Sequence, residues 1–160
     1  MSDHKDVRAI LVHAARDEAR REGSRTIEAE HVLLALAAFE DSAAARLLAD
    51  AGLTEDAIRT ALEQEWEQSL AVAGVAVRAG LLPEATPDRE RDPQIGESTK
   101  LMLRRAMDAE PKRARFGPMR VLVGLLATDR GRVARALEAA GVDRAALHAK
   151  ATEALAAGTA

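Results

Sequence analysis

The chain has 160 residues, enough for one compact domain or for two small halves around a shared core. Hydrophobic residues make up 48% and aromatics only 2%, so the core is built from Ala, Leu and Val, with Phe39, Trp66 and Phe116 as the only large rings. A formal charge of -3 argues against nucleic acid as a partner, since a polyanion is bound mainly through a basic surface, and zero cysteines exclude disulfides and thiolate chemistry.

From Asp6 to Glu22, residues Val7, Ile10, Leu11, Ala14, Ala15 and Ala19 fall at helical spacing, and Gly23 follows as a left-handed C-terminal cap. A polar turn leads to a second helix carrying Val32, Leu33, Leu36 and Phe39, with Glu28 and Glu30 in its first turn. Asp41-Ser42 caps a third helix that stops at Gly52, and Thr54 caps a fourth that begins with Glu55 and Asp56. The stretch from Trp66 to Val77 extends the fourth helix weakly because of Gly74 and the β-branched Val72, Val75 and Val77. Trp66 is expected to pack against this first unit. Residues 80–96 contain Pro83, Pro87 and Pro93 among charges and read as a surface linker. Four more helices follow: from Ser98 to an interruption near Pro111, from Arg120 to Ala127, from Val133 to Ala140, and after Asp143.

The two sets of four repeat one another. An offset of 89 residues places Val32 on Val121, Leu33 on Leu122, Leu36 on Leu125, Ala45-Arg46 on Ala134-Arg135, Leu48 on Leu137 and Ala51-Gly52 on Ala140-Gly141. Tandem helical units bury their apolar faces against each other, and the seam between them is a natural binding surface. The expected fold is all-α, about eight helices in a single domain over residues 1–160: repeat one at about 5–65, a connection at about 66–96, repeat two at about 97–157.

Met1 to Asp6 lead into an amphipathic pattern and not an apolar signal core, and no run approaches the ~20 apolar residues that span a bilayer. A cytoplasmic protein without membrane or nucleic-acid partners is the expectation. The sequence holds no phosphate-binding loop, nucleophile elbow or His-Glu-x-x-His helix, so no enzyme is expected. His13 and Asp17 share a helix face, but two ligands do not make a metal site, and neither metal nor cofactor is expected. Glu28, Glu30 and His31 form the densest polar cluster, read either as helix-start electrostatics or as a binding site. The basic run Lys112-Arg113-Ala114-Arg115 is a solvated loop or an attractor for an acidic peptide.

Ile27-Glu-Ala-Glu-His-Val-Leu-Leu-Ala-Leu, followed by Ala45-Arg-Leu-Leu-Ala-Asp-Ala-Gly-Leu, resembles the Clp N-terminal repeat, present in two copies at the front of the ClpA, ClpB and ClpC unfoldases. Ala14-Ala-Arg-Asp-Glu-Ala resembles the end of its first helix, and Gly141-Val-Asp-Arg-Ala-Ala-Leu the close of the second copy. The composition is similar to that of free-standing actinobacterial proteins of this kind. The resemblance implies an all-α pseudo-twofold domain that captures substrates or adaptors for a ring ATPase. In ClpC-type domains it also implies phosphoarginine binding by a glutamate before the histidine of each repeat, with a threonine at each repeat's start. Glu30 and His31 match the first pair, whereas the second pair falls on Met119 and Arg120 and the threonines on approximately Lys5 and Gly96. Lys5, Ser98 and Thr99 are substitute phosphate contacts on this view.

The expected function is therefore a non-enzymatic accessory or decoy module. Its candidate partners are protein substrates or adaptors of a Clp protease, a Clp ATPase, and a natural product directed at such ATPases. A partner that docks onto the ATPase and alters its assembly is the alternative, and a helical DNA regulator a more distant one. The candidate ligand surface is the seam carrying Val7, Leu11, Phe39, Leu101 and Met119, together with Glu30, His31, Lys5 and Arg120.

Overall fold

A computed structural model describes residues 2–75 and 85–158. The first helix, α1, runs as three consecutive stretches: Ser2–Arg8 and Ala15–Arg21 in α geometry, with Ala9–Ala14 between them as a π-helix. Its buried positions explain the wider turn. Val7, Ile10, Ala15 and Ala19 all face the core, and the step from Ile10 to Ala15 is five residues rather than three or four. Seven further helices follow among the described residues: α2 (Ala29–Ala38), α3 (Ala43–Asp50), α4 (Glu55–Val72), α5 (Glu97–Asp108), α6 (Pro118–Leu126), α7 (Arg132–Ala139) and α8 (Arg144–Ala157). The architecture is all-α, two tandem four-helix repeats related by a pseudo-twofold axis.

The helix boundaries follow local chemistry. Gly23, Gly52 and Gly141 close α1, α3 and α7 at φ values of 68°, 79° and 71°, a conformation that a side chain would strain. Ser42 accepts a hydrogen bond from the Ala45 N–H at 3.0 Å, and Thr54 from the Ala57 N–H at 3.3 Å, so each caps the helix it precedes. The fourth helix does extend past Trp66, ending at Val72 before Gly74. Trp66, expected to pack against the first unit, is 47% exposed.

Mate helices α2 and α6 lie at the centre and touch each other. Residues 30–36 of α2 and 120–126 of α6 are buried without a break, which places both inside the core instead of on its rim. A single cluster of buried side chains runs through both repeats, from Val7 and Ile10 through Leu33, Leu36 and Leu48 to Leu122, Leu125, Leu137 and Leu155. Gly124 permits a close approach of α6 to α5. A methyl group there would stand 2.6 Å from the Met102 carbonyl oxygen and 2.7 Å from the Ala106 Cβ.

Two short strands were not foreseen from the sequence. Thr26–Ile27 (β1) pairs in parallel with Gln94–Ile95 (β2), Ile27 opposite Ile95. The connection at 85–96 is also pinned to α1. The Asp88 N–H donates to the Arg20 carbonyl at 2.8 Å, Arg20 Nε to the Arg91 carbonyl at 2.7 Å, and Arg16 pairs with Asp92 at 3.2 Å. The remainder of the predicted linker, residues 80–84, lies outside the described residues. Among the described residues no helix is long and apolar enough to cross a membrane.

Replacing a helix-interior glycine by alanine ordinarily stabilises by up to ~1 kcal/mol. At Gly124 the sign reverses, because overpacking against α5 costs about 1–3 kcal/mol. Urea unfolding of Gly124→Ala is expected to show a lower midpoint than the parent chain.

Candidate functional site

The 89-residue offset pairs each residue near the seam with a counterpart, and the two sides have diverged. On one side stand Glu30 at the start of α2 and Arg132 at the start of α7. On the other, the equivalent positions are Met119 on α6 and Ala43 on α3. A charged pair on one side is thus matched by two apolar residues on the other.

On the charged side, Arg132 Nη1 lies 3.1 Å from Glu30 Oε1 and 3.2 Å from Glu22 Oε1, and Arg132 Nε is 3.4 Å from Glu65 Oε2. The last is a charge contact rather than a hydrogen bond, since Nε has no bonded partner. Arg135 adds a bond to Glu65 at 2.7 Å, and Ser69 donates to the same oxygen at 2.7 Å. Glu30 and Glu65 are buried, so their charges depend on these cations. Burial opposes the charge on Arg132, but Glu22 and Glu30 outweigh it and its pKa is raised. Burial likewise raises Glu65, yet Ser69, Arg135 and Arg132 overcome it and hold the carboxyl below its ordinary range. With Arg132 in place, the cavity left here is about 230 Å³.

His31 sits beside this network, 2% exposed. The Glu28 N–H donates to its Nδ1 at 2.9 Å, so the proton is on Nε2, which lies 2.5 Å from Glu22 Oε2. That bond, working against burial and joined by the charge of Arg132, draws the Glu22 pKa down to about 2.

Glu28 joins the repeats in another way. Its carboxylate accepts from the Ser98 N–H at 3.2 Å and from the Ser98 hydroxyl, at the start of α5. The Ser98 oxygen in turn accepts from the Ala29 N–H at 2.8 Å, at the start of α2. Each helix start is capped by the other's side chain. Gly96 makes room, because a Cβ there would meet the Glu28 Oε1 at 2.0 Å. Thr99, fully buried, donates to the Ile27 carbonyl at 2.7 Å.

On the apolar side the seam stays open. Between the starts of α3 and α6, the 113–117 loop and the end of α8 lies a cavity of about 900 Å³, with Phe39, Met119 and Leu155 in its wall. Arg120, the counterpart of His31, is also 2% exposed. Its Nη1 donates to the carbonyls of Ala106 and Ala109 at 3.0 and 2.9 Å, and its Nη2 to those of Pro111 and Ala114 at 2.5 and 3.0 Å. Arg120 thereby satisfies the carbonyls left over at the end of α5.

The predicted site residues are therefore dispersed. Phe39, Met119 and Arg120 meet at the larger cavity, Glu30 and His31 at the smaller one. Val7 is a core residue, Leu11 packs against that core, Lys5 is exposed on α1, and Leu101 is 37% exposed on α5. Glu30, the match to a guanidinium-binding glutamate, already holds the guanidinium of Arg132. Ser98 and Thr99 are likewise engaged within the chain, as helix cap and core tether. Sequence reasoning missed Arg132, Glu22 and Glu65. The available signal was the exchange of charge for apolar residues at both 30/119 and 43/132. Among the described residues no group of three or more His, Asp or Glu is placed to hold a metal.

Removing Arg132 strands the buried carboxylate of Glu30, while Glu65 keeps Arg135, and Arg132→Ala is expected to cost about 3 kcal/mol in urea unfolding. Lys100→Ala, which breaks the exposed pair with Glu97, is expected to leave the midpoint unchanged. Acid acts on the same network. A carboxyl lowered to about 2 contributes stability that is complete above its ordinary value of 4.5 and lost as pH falls toward 2. Thermal melts across that window are expected to fall less steeply for Glu22→Gln than for the parent.

Comparison with known proteins gives the same architecture a family. The N-terminal domain of ClpD, a caseinolytic protease associated chaperone from Arabidopsis thaliana, superposes with a TM-score of 0.63 at 25% identity, covering 94% of this chain and 92% of that one. No curated relative matches significantly. The model of the Clp repeat (R) N-terminal domain matches residues 6–114, over half the chain, and the chain belongs to that family.

Proposed function

We propose that the chain is a non-enzymatic recognition module that acts in trans as an accessory or decoy of a Clp system, binding protein substrates, adaptors or Clp-directed small molecules in the open seam. In Clp ATPases this type of domain binds substrates and adaptors. The observation that carries the assignment to one side is the contrast in filling. The seam cavity beside Met119 and Ala43 measures about 900 Å³, and its counterpart beside Glu30 and Arg132 about 230 Å³. A ligand at the Arg132 side has to displace a buried ion pair, whereas the open side offers the uncharged side chains of Phe39 and Met119.

Ala43→Arg with Met119→Glu would install the counterpart of the Arg132–Glu30 pair. Ala43 is exposed at the first position of its helix, so the arginine has room. Fluorescence anisotropy with labelled casein as an unfolded probe is expected to show saturable binding to the parent chain and binding weaker by about tenfold or more to the double variant. The parent chain should also slow casein degradation by a Clp protease when added in trans. Absence of both effects overturns the proposal. Binding to a purified Clp ATPase that the double variant leaves intact would instead assign the chain to docking on the ATPase.

A further inference from the structure

The two seams also differ in what stands beside them at the surface. At the filled seam, α4 presents Trp66, the only tryptophan of the chain, half-exposed. Glu63 and Leu70, three residues before it and four after, lie on the same side of the helix, and Glu67 borders both of them. Glu63 also lines the small cavity beside Arg132, which places this side of α4 at the filled seam. The 89-residue offset puts Leu155 at the position of Trp66. Leu155 is buried and stands in the wall of the open seam. One helix position therefore lines an open cavity in the second repeat and leaves a large ring half bare in the first.

The open seam is the complement of that surface in shape and in charge. Phe39, Met119 and Leu155 give its cavity of about 900 Å³ an apolar wall, and Ala43 stands where the filled seam has Arg132. Arg113 lies in the wall on the 113–117 loop, exposed. Among the described residues, Arg113, Glu63 and Glu67 have no ion pair. Arg115 and Asp6 in the same wall are already engaged within the chain, and Asp41 stands apart from the loop, just before α3. An uncompensated cation thus adjoins the apolar cavity, and two uncompensated carboxylates adjoin the bare ring.

We propose that the open seam of one copy of this chain takes the Trp66 side of α4 from a second copy, with Glu63 and Glu67 of that helix set against the Arg113 loop. The indole covers Phe39 and Met119 and supplies the affinity, while the charges fix the orientation. Donor and acceptor surfaces lie at different seams, so the contact is head-to-tail. Each copy that gives its Trp66 keeps its own open seam for the next. The contact stands independently of the recognition reading and gives the same cavity a second occupant, which competes with any other.

The test is sedimentation velocity of the full chain at rising concentration, read beside the emission of Trp66. The weight-average mass is expected to rise past that of a dimer while the emission shifts to shorter wavelength, as the single indole leaves water. Trp66→Ala is expected to weaken assembly by about tenfold or more, and Ala43→Arg with Met119→Glu to do the same by filling the cavity. Each variant keeps the half of the contact that the other lacks, so a mixture of the two is expected to form a one-to-one dimer and nothing larger. Arg113→Glu, on an exposed loop, is expected to weaken assembly as well, and admixture of a Glu67→Arg copy to restore part of it. Circular dichroism confirms that the variants keep their helices. A parent chain still monomeric at ~1 mM overturns the proposal. Assembly without a shift in the Trp66 emission overturns it too, as does a mixture that yields no dimer. A monomeric parent that binds casein removes the self-contact and leaves the recognition reading standing; assembly without casein binding does the reverse.

Discussion

The guanidinium of Arg132 stands among Glu22, Glu30 and Glu65, which come from three different helical segments of the first repeat. It therefore fastens the start of α7 to the end of α1, the start of α2 and the middle of α4 at a single point. Removing a cation and buried carboxylates from water is expensive, and only close geometry repays it. Arg135 one turn along α7 shares Glu65, which extends the attachment along the α4–α7 contact. This side of the seam is fixed because its charges have no cheaper arrangement.

A second set of constraints ties the beginnings of the repeats together. Glu28 and Ser98 cap each other's helices, Gly96 leaves space for the carboxylate, and β1 pairs with β2 immediately beside them. The connection at 85–96 is held on α1 by Arg20 and Arg16, so two segments some 70 residues apart share hydrogen bonds. In the second repeat, the stabilising work done by His31 in the first is done by Arg120. His31 accepts one backbone N–H and reaches one carboxylate, while Arg120 donates to four carbonyls. The substitution reverses the polarity of what the side chain can satisfy: an imidazole nitrogen can terminate an N–H, and a guanidinium can only terminate carbonyls.

These differences explain what the sequence made legible. Ser42, Thr54, Gly23 and Gly52 act on neighbours within a few residues, so capping rules placed the helix ends from sequence alone. The internal repeat gave the all-α tandem architecture because burial of α2 and α6 leaves a continuous apolar signature. The π stretch in α1 escaped detection, since Leu11 and Ala14 complete an ordinary α pattern around Ile10 and Ala15. The β1–β2 pair and the anchoring of 85–96 depend on contacts across tens of residues, which periodicity does not encode. Glu30 stood out as a candidate, but its partner lies 102 residues away and is recognisable only once the two repeats are laid over each other. The ligand surface assigned from the resemblance had the same limit. It gathered residues by their place in the repeat, whereas Val7 and Leu11 turn into the core and Leu101 lies on the outer face of α5.

A duplicated fold with two equivalent seams can use them for different ends when one is filled and the other is not. On the Arg132 side, admitting a ligand means separating charges that are stable only together, a cost of about 3 kcal/mol before any new contact forms. On the Met119 side the two equivalent positions, Met119 and Ala43, carry no charge to strand, and the adjoining Arg120 already rests on four carbonyls. Equal contact area therefore yields more net affinity there, by roughly the free energy that the other side has already committed to stability. The same division accounts for the two histidine-equivalent positions: both are buried to hold the backbone, and neither is available to a ligand in its entirety.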